Sequence, residues 1–172
     1  MDLMDCLRER RSIRLYTLEP VGREHIAALL EAAESAPSAG NLRARKYVVV
    51  TRSHLRDLLS KAALGQRHVA SAPLLIVVCA DPMRSARRYG DRGHLYAILD
   101  AASATMCILL AAHNMGLGAC WNGAFYEEMV RNILDLPEQI LPVAIVSIGW
   151  PSERPESPPR RDLAEVVSWE VE

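Results

Sequence analysis

Apolar positions along this chain change their period several times, and each change marks an element. Residues 1–10 read as a short helix. A second helix covers 23–35, with Ile26, Leu29, Leu30 and Ala33 recurring on one face, and Pro37 and Gly40 end it in a loop. Tyr47 to Thr51 is a β-branched run that predicts a strand, 55–63 predicts a helix, and 73–80 is an unbroken apolar run typical of a central strand. Residues 81–93, with Pro82, Gly90 and Gly93 among Arg84, Arg87, Arg88, Asp91 and Arg92, predict a mobile surface connection. A long helix follows over 94–114 and stops at Met115-Gly116-Leu117-Gly118, where glycine permits the turn. A short extended piece runs through Trp121, a helix covers 125–134, and a strand covers 143–150. Pro151, Pro155, Pro158 and Pro159 then force an extended arm that must lie on something, a partner subunit being one candidate. Helices and strands mix without regular βαβ alternation, so the class is α+β, and no repeat divides residues 1–172, which read as a single domain.

Composition narrows the partners. Half of the 172 residues are hydrophobic and the formal charge is -1, so nothing draws the chain globally to nucleic acid or membrane. Cys6, Cys79, Cys107 and Cys120 form no C-x-x-C pair and sit mostly among apolar neighbours, as reduced cysteines do in a cytoplasmic protein. The N-terminus lacks a basic segment followed by an apolar run, which also points to the cytoplasm. Residues 95–112 carry one charge, Asp100, over a length that spans a bilayer, but Ser103, Thr105 and many alanines favour a helix buried on all sides in a protein core.

The chain has no G-x-S-x-G elbow, no phosphate-binding P-loop and no H-E-x-x-H, and its five histidines lack ligand spacing, so no metal is expected. Gly116, Gly118 and Gly123 follow a helix instead of opening one, which excludes a nicotinamide-type dinucleotide loop. Three clusters remain, each with two readings. Arg8, Arg10, Arg11 and Arg14 around Ser12 form either a solvated helix end or a phosphate cradle. Asn41 is either a turn residue or an amide facing the polar edge of a flat heteroaromatic ligand. Arg160 and Arg161 are either solubilising charge or a second anion contact.

Taken in order, Arg-Arg-Ser-Ile-Arg at 10–14, Ala-Pro-Ser-Ala-Gly-Asn at 36–41, Gly-Leu-Gly-Ala-Cys-Trp-Asn-Gly-Ala-Phe at 116–125, and Ile-Gly-Trp-Pro followed by Pro-Pro-Arg-Arg at 148–161 resemble the nitroreductase family along almost the whole chain. Tyr96-Ala97-Ile98-Leu99-Asp100-Ala101-Ala102 also resembles that family's long central helix. The resemblance implies a mixed sheet flanked by helices, an intertwined homodimer with an exchanged terminal arm, and one FMN per subunit at the interface. It implies that Arg10 and Arg160 pair with the FMN phosphate, that Ser12 bonds the phosphate or ribityl end, and that Arg14 reaches the pyrimidine edge. Arg11 and Arg161 stand beside these without a separate share. Pro37, Ser38, Ala39 and Asn41 of the other subunit would flank the ring and ribityl chain. The backbone of Trp121, Asn122, Gly123 and Ala124 would run beside the ring, with Gly123 presenting an N–H to flavin N5.

The implied activity is electron transfer from NAD(P)H to a small electron-poor acceptor, a nitroaromatic or quinone, by a ping-pong mechanism. The flavin carries the hydride chemistry, so Arg14 and Gly123 are the catalytic candidates, acting by charge and hydrogen bonding. Other flavin chemistry on the same fold, namely ene reduction, dehalogenation or flavin fragmentation, or a non-enzymatic flavin-binding role stays open. Gln66 stands where larger relatives place polar contacts, and His68 reads equally as a surface helix residue. Leu42-Arg43-Ala44-Arg45 replaces the family's Gln-Pro-Trp-like continuation, which leaves the substrate side of the pocket undetermined. The chain is also shorter than many relatives, so its site is either more open or roofed by residues 81–93.

Overall fold

The computed structural model describes residues 2–170. Helix α1, Leu3–Glu9, starts at Asp2, whose carboxylate accepts the Met4 N–H at 2.9 Å; Met1, within the predicted helix, lies outside the described residues. Helix α2 is Arg23–Ser35, and a 3-10 turn, Ala39–Asn41, follows it. Then come β1, Arg45–Val50; α3, Ser53–Ala62; α4, Arg67–Ser71; and β2, Leu74–Ala80. The chain continues with α5, Pro82–Tyr89; α6, Arg92–Asn114; β3, Gly118–Asn122; α7, Glu127–Ile133; and β4, Leu141–Gly149.

The strands form one four-stranded sheet in the order β1-β2-β4-β3. All of its strand pairs are antiparallel, and parallel geometry enters only through an isolated bridge between Ser12 and Ala119. The α+β class and the helix-flanked sheet hold, but within one chain the sheet expected to be mixed is antiparallel. Strand β2 is buried at every position because it has helices on both sides. Alternate residues Leu74, Ile76, Val78 and Ala80 join Leu29, Ala33, Ala101 and Ile108 of α2 and α6. Leu75, Val77 and Cys79 join Leu59, Val69 and Val130 of α3, α4 and α7. The strand period of two thus divides one apolar run between two cores.

Two expectations need correction. Residues 81–93 are not an irregular connection: Asp81 caps α5 by accepting the Arg84 N–H at 3.0 Å, Pro82 occupies the first turn, and Tyr89 ends the helix. Its packed face consists of small residues such as buried Ser85, so no hydrophobic period betrays it. Helix α6 is not buried on all sides within the chain. Ala97, Ala101, Ala104, Ile108 and Ala112 pack inward, whereas Leu95, Leu99 and Met106 form an exposed stripe, with Leu99 at 52 % exposure. By length and composition α6 resembles a membrane span, yet its small residues are committed to α2 and the sheet.

After β4 the chain crosses the N-terminal segment. Thr17 N–H donates to the Trp150 carbonyl at 2.9 Å and Ser152 N–H to the Leu15 carbonyl at 3.0 Å. From residue 156 to 170 every residue is exposed, including Trp169 at 84 %, and only the short turn Leu163–Glu165 is regular.

Candidate functional site

Residues 10–14 are placed by β3. The Ile13 N–H donates to the Ala119 carbonyl at 3.0 Å, and Ser12 pairs with Ala119. The approach depends on Gly118, because a Cβ there would lie 2.7 Å from Ile13 Cγ2. Ile13 is buried, Ser12 is half-buried, and Arg14 is exposed. Cys120 lies within their field: burial raises its thiol pKa, while Arg14, the Ser12 hydroxyl and Arg10 oppose the rise. The Glu153 carboxylate accepts the N–H groups of Arg14 and, at 2.9 Å, Leu15, tying the post-β4 segment to the same strip.

At the exit of β3, Asn122 is 3 % exposed and its side chain is spent internally. Its amide nitrogen donates to the Ile145 carbonyl at 2.7 Å and the Cys120 carbonyl at 3.2 Å, so its oxygen faces His68. His68 Nε2 must therefore carry the proton and donate to Asn122 Oδ1. Only the Asn122 backbone is left for a ligand. Trp121, Gly123 and Ala124 are exposed, and Gly123 lies one residue beyond the last ladder pair, Asn122 with Ile145. Gln66 donates to the Ala124 carbonyl at 3.1 Å, so Gln66 and His68 stand behind this turn as supports. Tyr16 extends the network by bonding the Ser147 hydroxyl at 3.0 Å, and burial raises its pKa.

Pro37, Ser38 and Ala39 line a separate shallow hollow of about 250 Å³ with Tyr96, Leu99 and Asp100. Asn41 is exposed at φ 56°, and its N–H donates to the Ser38 carbonyl at 2.9 Å. It is a left-handed turn residue whose amide also faces outward. Helix α5 fixes the far side of the loop, where Arg84 donates to the Leu42 carbonyl and Arg88 to the Gly40 carbonyl.

The larger cleft measures about 560 Å³ and is lined by Arg10, Arg11, His113, Gly118, Glu153 and Arg154 among others. Arg11 Nε and His113 Nε2 are buried there without partners, and burial lowers the His113 pKa. The hollow and the cleft share no lining residue, so the single chain does not unite Pro37, Ser38 and Ala39 with Arg10 and Arg11, and Ser12 and Arg14 line neither. Arg154, Arg45 and Asp100 were not among the expected site residues. Asp100 carried a signal, being the one charge in an apolar helix; Arg154 carried none beyond its place in the arm. Arg160 and Arg161 are exposed in the arm and do not line the cleft. Among the described residues, no group of three His, Cys, Asp or Glu side chains is arranged to hold a metal. Chemically, the cleft and the strip offer guanidinium groups for an anion, a hydroxyl, and an exposed glycine peptide beside an aromatic ring.

Comparison with known proteins gives a concordant result over most of the chain. The family model described as "Nitroreductase family" matches residues 7–71 and 60–150. An NADH dehydrogenase of Thermus thermophilus is 31 % identical, with 98 % of this chain and 96 % of the relative covered. The oxygen-insensitive NADPH nitroreductase of Salmonella typhimurium is 33 % identical, covering 95 % of this chain and 72 % of its own length. Among solved structures, NADPH:FMN oxidoreductase from Vibrio harveyi, complexed with NAD+, superposes with a TM-score of 0.90 at 30 % identity, covering 98 % of this chain and 76 % of its own.

Proposed function

The chain belongs to the nitroreductase family, and from that premise we propose that it works as an FMN-dependent NAD(P)H oxidoreductase whose sites form between two copies. The observation that carries this reading is the Ser12–Ala119 bridge, which sets the arginine strip beside the strand that leads into exposed Gly123.

The donor set fits FMN. Arg10 and Arg11 line a cleft in which Arg11 Nε is buried without a partner, as expected of a site for an anion. Arg10, joined by Arg160, would hold the phosphate, and Ser12 would bond the phosphate or ribityl end. Arg11 and Arg161 flank them. Arg14, exposed and close enough to β3 for its charge to act on Cys120, would bring positive charge to the pyrimidine edge, where reduction leaves negative charge. The Gly123 N–H, beyond the ladder, would bond N5, with Trp121, the Asn122 backbone and Ala124 along the ring. When bound, FMN supplies the hydride-transfer chemistry, so the protein needs no acid–base triad.

Pro37, Ser38, Ala39 and Asn41 would come from the second copy. Two observations support this: the loop lies apart from the arginine strip within one chain, and the exposed stripe Leu95, Leu99 and Met106 reaches the same hollow through Leu99. Leu163, Val166, Val167 and Trp169 on the exposed arm ask for the same kind of cover. NAD(P)H and a small acceptor, a quinone or nitroaromatic, would use one opening in turn. The four free cysteines suit a cytoplasmic setting.

The test is direct. Purified protein should be yellow, release FMN on denaturation, and oxidise NADH or NADPH when a quinone or nitroaromatic is supplied. A colourless protein that refuses added FMN refutes the reading.

A further inference from the structure

Position 45 lies where the resemblance to the family's loop sequence breaks, and Arg45 is not a surface residue. Its side chain is 0 % exposed, and all five guanidinium donors are used. Nε donates to Glu34 Oε1 at 3.2 Å, Nη1 to the carbonyls of Pro37 at 3.3 Å and Asp100 at 3.4 Å, and Nη2 to those of Glu34 at 3.1 Å and Ala36 at 2.9 Å. The Glu34, Ala36 and Pro37 carbonyls lie at or just beyond the C-terminus of α2, which has no basic residue in its own last turn. Strand β1 therefore supplies the cation that the helix end favours. From the opposite side Asp100, 5 % exposed, accepts the Ala39 N–H at 2.9 Å. The Arg45 bond to the Asp100 carbonyl joins the two holds, so residues 36–39 are gripped between β1 and α6.

We propose that Arg45 is a positioning residue: its guanidinium, together with the Asp100 carboxylate, sets where Pro37, Ser38 and Ala39 are offered to a flavin held by the second copy. The inference rests on the proposed function. Arg45 touches no flavin atom in this account and acts only through the loop backbone. Binding constellations tolerate displacements of about 0.5 Å, and a planar fork with five fixed donors holds several carbonyls to that tolerance where a flexible ammonium cannot. Arg43 makes a looser ion pair with the same Glu34, at 3.7 Å, and is exposed, so it provides a control.

The experiment titrates FMN and riboflavin into full-length wild type, Arg45→Lys, Asp100→Asn, Asp100→Ala and Arg43→Asn, well below each thermal midpoint. The grip acts on the ring side of the site and not on the phosphate. Arg45→Lys should therefore weaken both flavins by the same factor, about tenfold or more, which corresponds to about 1.4 kcal/mol. Asp100→Ala should do likewise, Asp100→Asn should restore affinity because it keeps an acceptor for Ala39, and Arg43→Asn should change neither. If Arg45→Lys does not fold, the Asp100 pair decides alone. Variants that melt earlier but bind both flavins like wild type overturn the proposal and leave Arg45 a fold residue. Loss confined to FMN overturns it too, since that places the effect at the phosphate. A wild type that binds neither flavin overturns the flavin reading and this inference with it, a result distinct from the other two.

Discussion

Replacing Gly118 by alanine tests how the arginine strip is held to β3. The new Cβ would meet Ile13 Cγ2 at 2.7 Å, Cβ at 2.8 Å and Cγ1 at 3.0 Å. Carbon atoms rest at about 3.5–4.0 Å, so Ile13 must retreat by about 1 Å. That movement strains the 3.0 Å hydrogen bond from Ile13 N–H to the Ala119 carbonyl and carries Ser12 and Arg14 with it. Overpacking costs about 1–3 kcal/mol and the lost hydrogen bond about 1 kcal/mol, so the total is about 2–4 kcal/mol. At about 2–4 °C per kcal/mol for a chain of this size, thermal unfolding should shift down by about 4–16 °C. With FMN held as proposed, flavin affinity should fall as well, because the strip has moved relative to Gly123. In a double-mutant cycle, Ile13→Ala deletes two of the three clashing atoms and should show a coupling of about 1 kcal/mol or more. A variant that melts within about 1 °C of wild type and binds FMN equally well would refute the argument that this close approach sets the site.

Arg160→Ala should weaken FMN binding by about 10- to 150-fold, for a lost charge-assisted contact of about 1.5–3 kcal/mol, while riboflavin binds unchanged; equal FMN affinity would exclude Arg160 as the phosphate partner. Asn41→Gly keeps the left-handed backbone and removes the side chain with its amide, so weaker flavin binding without a change in melting would assign that side chain to the ligand, and no change would leave a turn residue. Burial works against the Glu34 carboxylate, but the Tyr47 hydroxyl and the Arg45 guanidinium outweigh it and hold the pKa below its ordinary value. The stability Glu34 contributes is therefore complete above the ordinary carboxylate pKa and is lost as pH falls through the lower folded value; Glu34→Gln should flatten the acid limb of a stability–pH curve, and an unchanged limb would disprove the assignment. Sizing on dilution should give dimers and no folded monomer, whereas a monomer that retains FMN would contradict a shared site.

What the sequence alone determined rests on local period and chain order. The run over β2 and the β-branched stretch at Tyr47–Thr51 announce strands because burial is written into successive residues. The order of the four motifs and the central helix identified the family because a fold with a bound cofactor constrains residues along its whole length. Asp81-Pro82 did carry the start signal of α5, but arginines dominate that helix and its packed face is small, so composition masked it. Tertiary structure alone decided what the charged residues do. Arg45 and Arg43 look alike two positions apart, yet one is buried against four carbonyls and a carboxylate while the other is exposed. The internal bonds of the Asn122 side chain were hidden in the same way, because its neighbours in space, Ile145 and His68, are distant in sequence. A guanidinium or an amide has the same chemistry everywhere; which carbonyls come within hydrogen-bonding distance of it is settled only when β1 packs against α2 and α6, and β3 against β4.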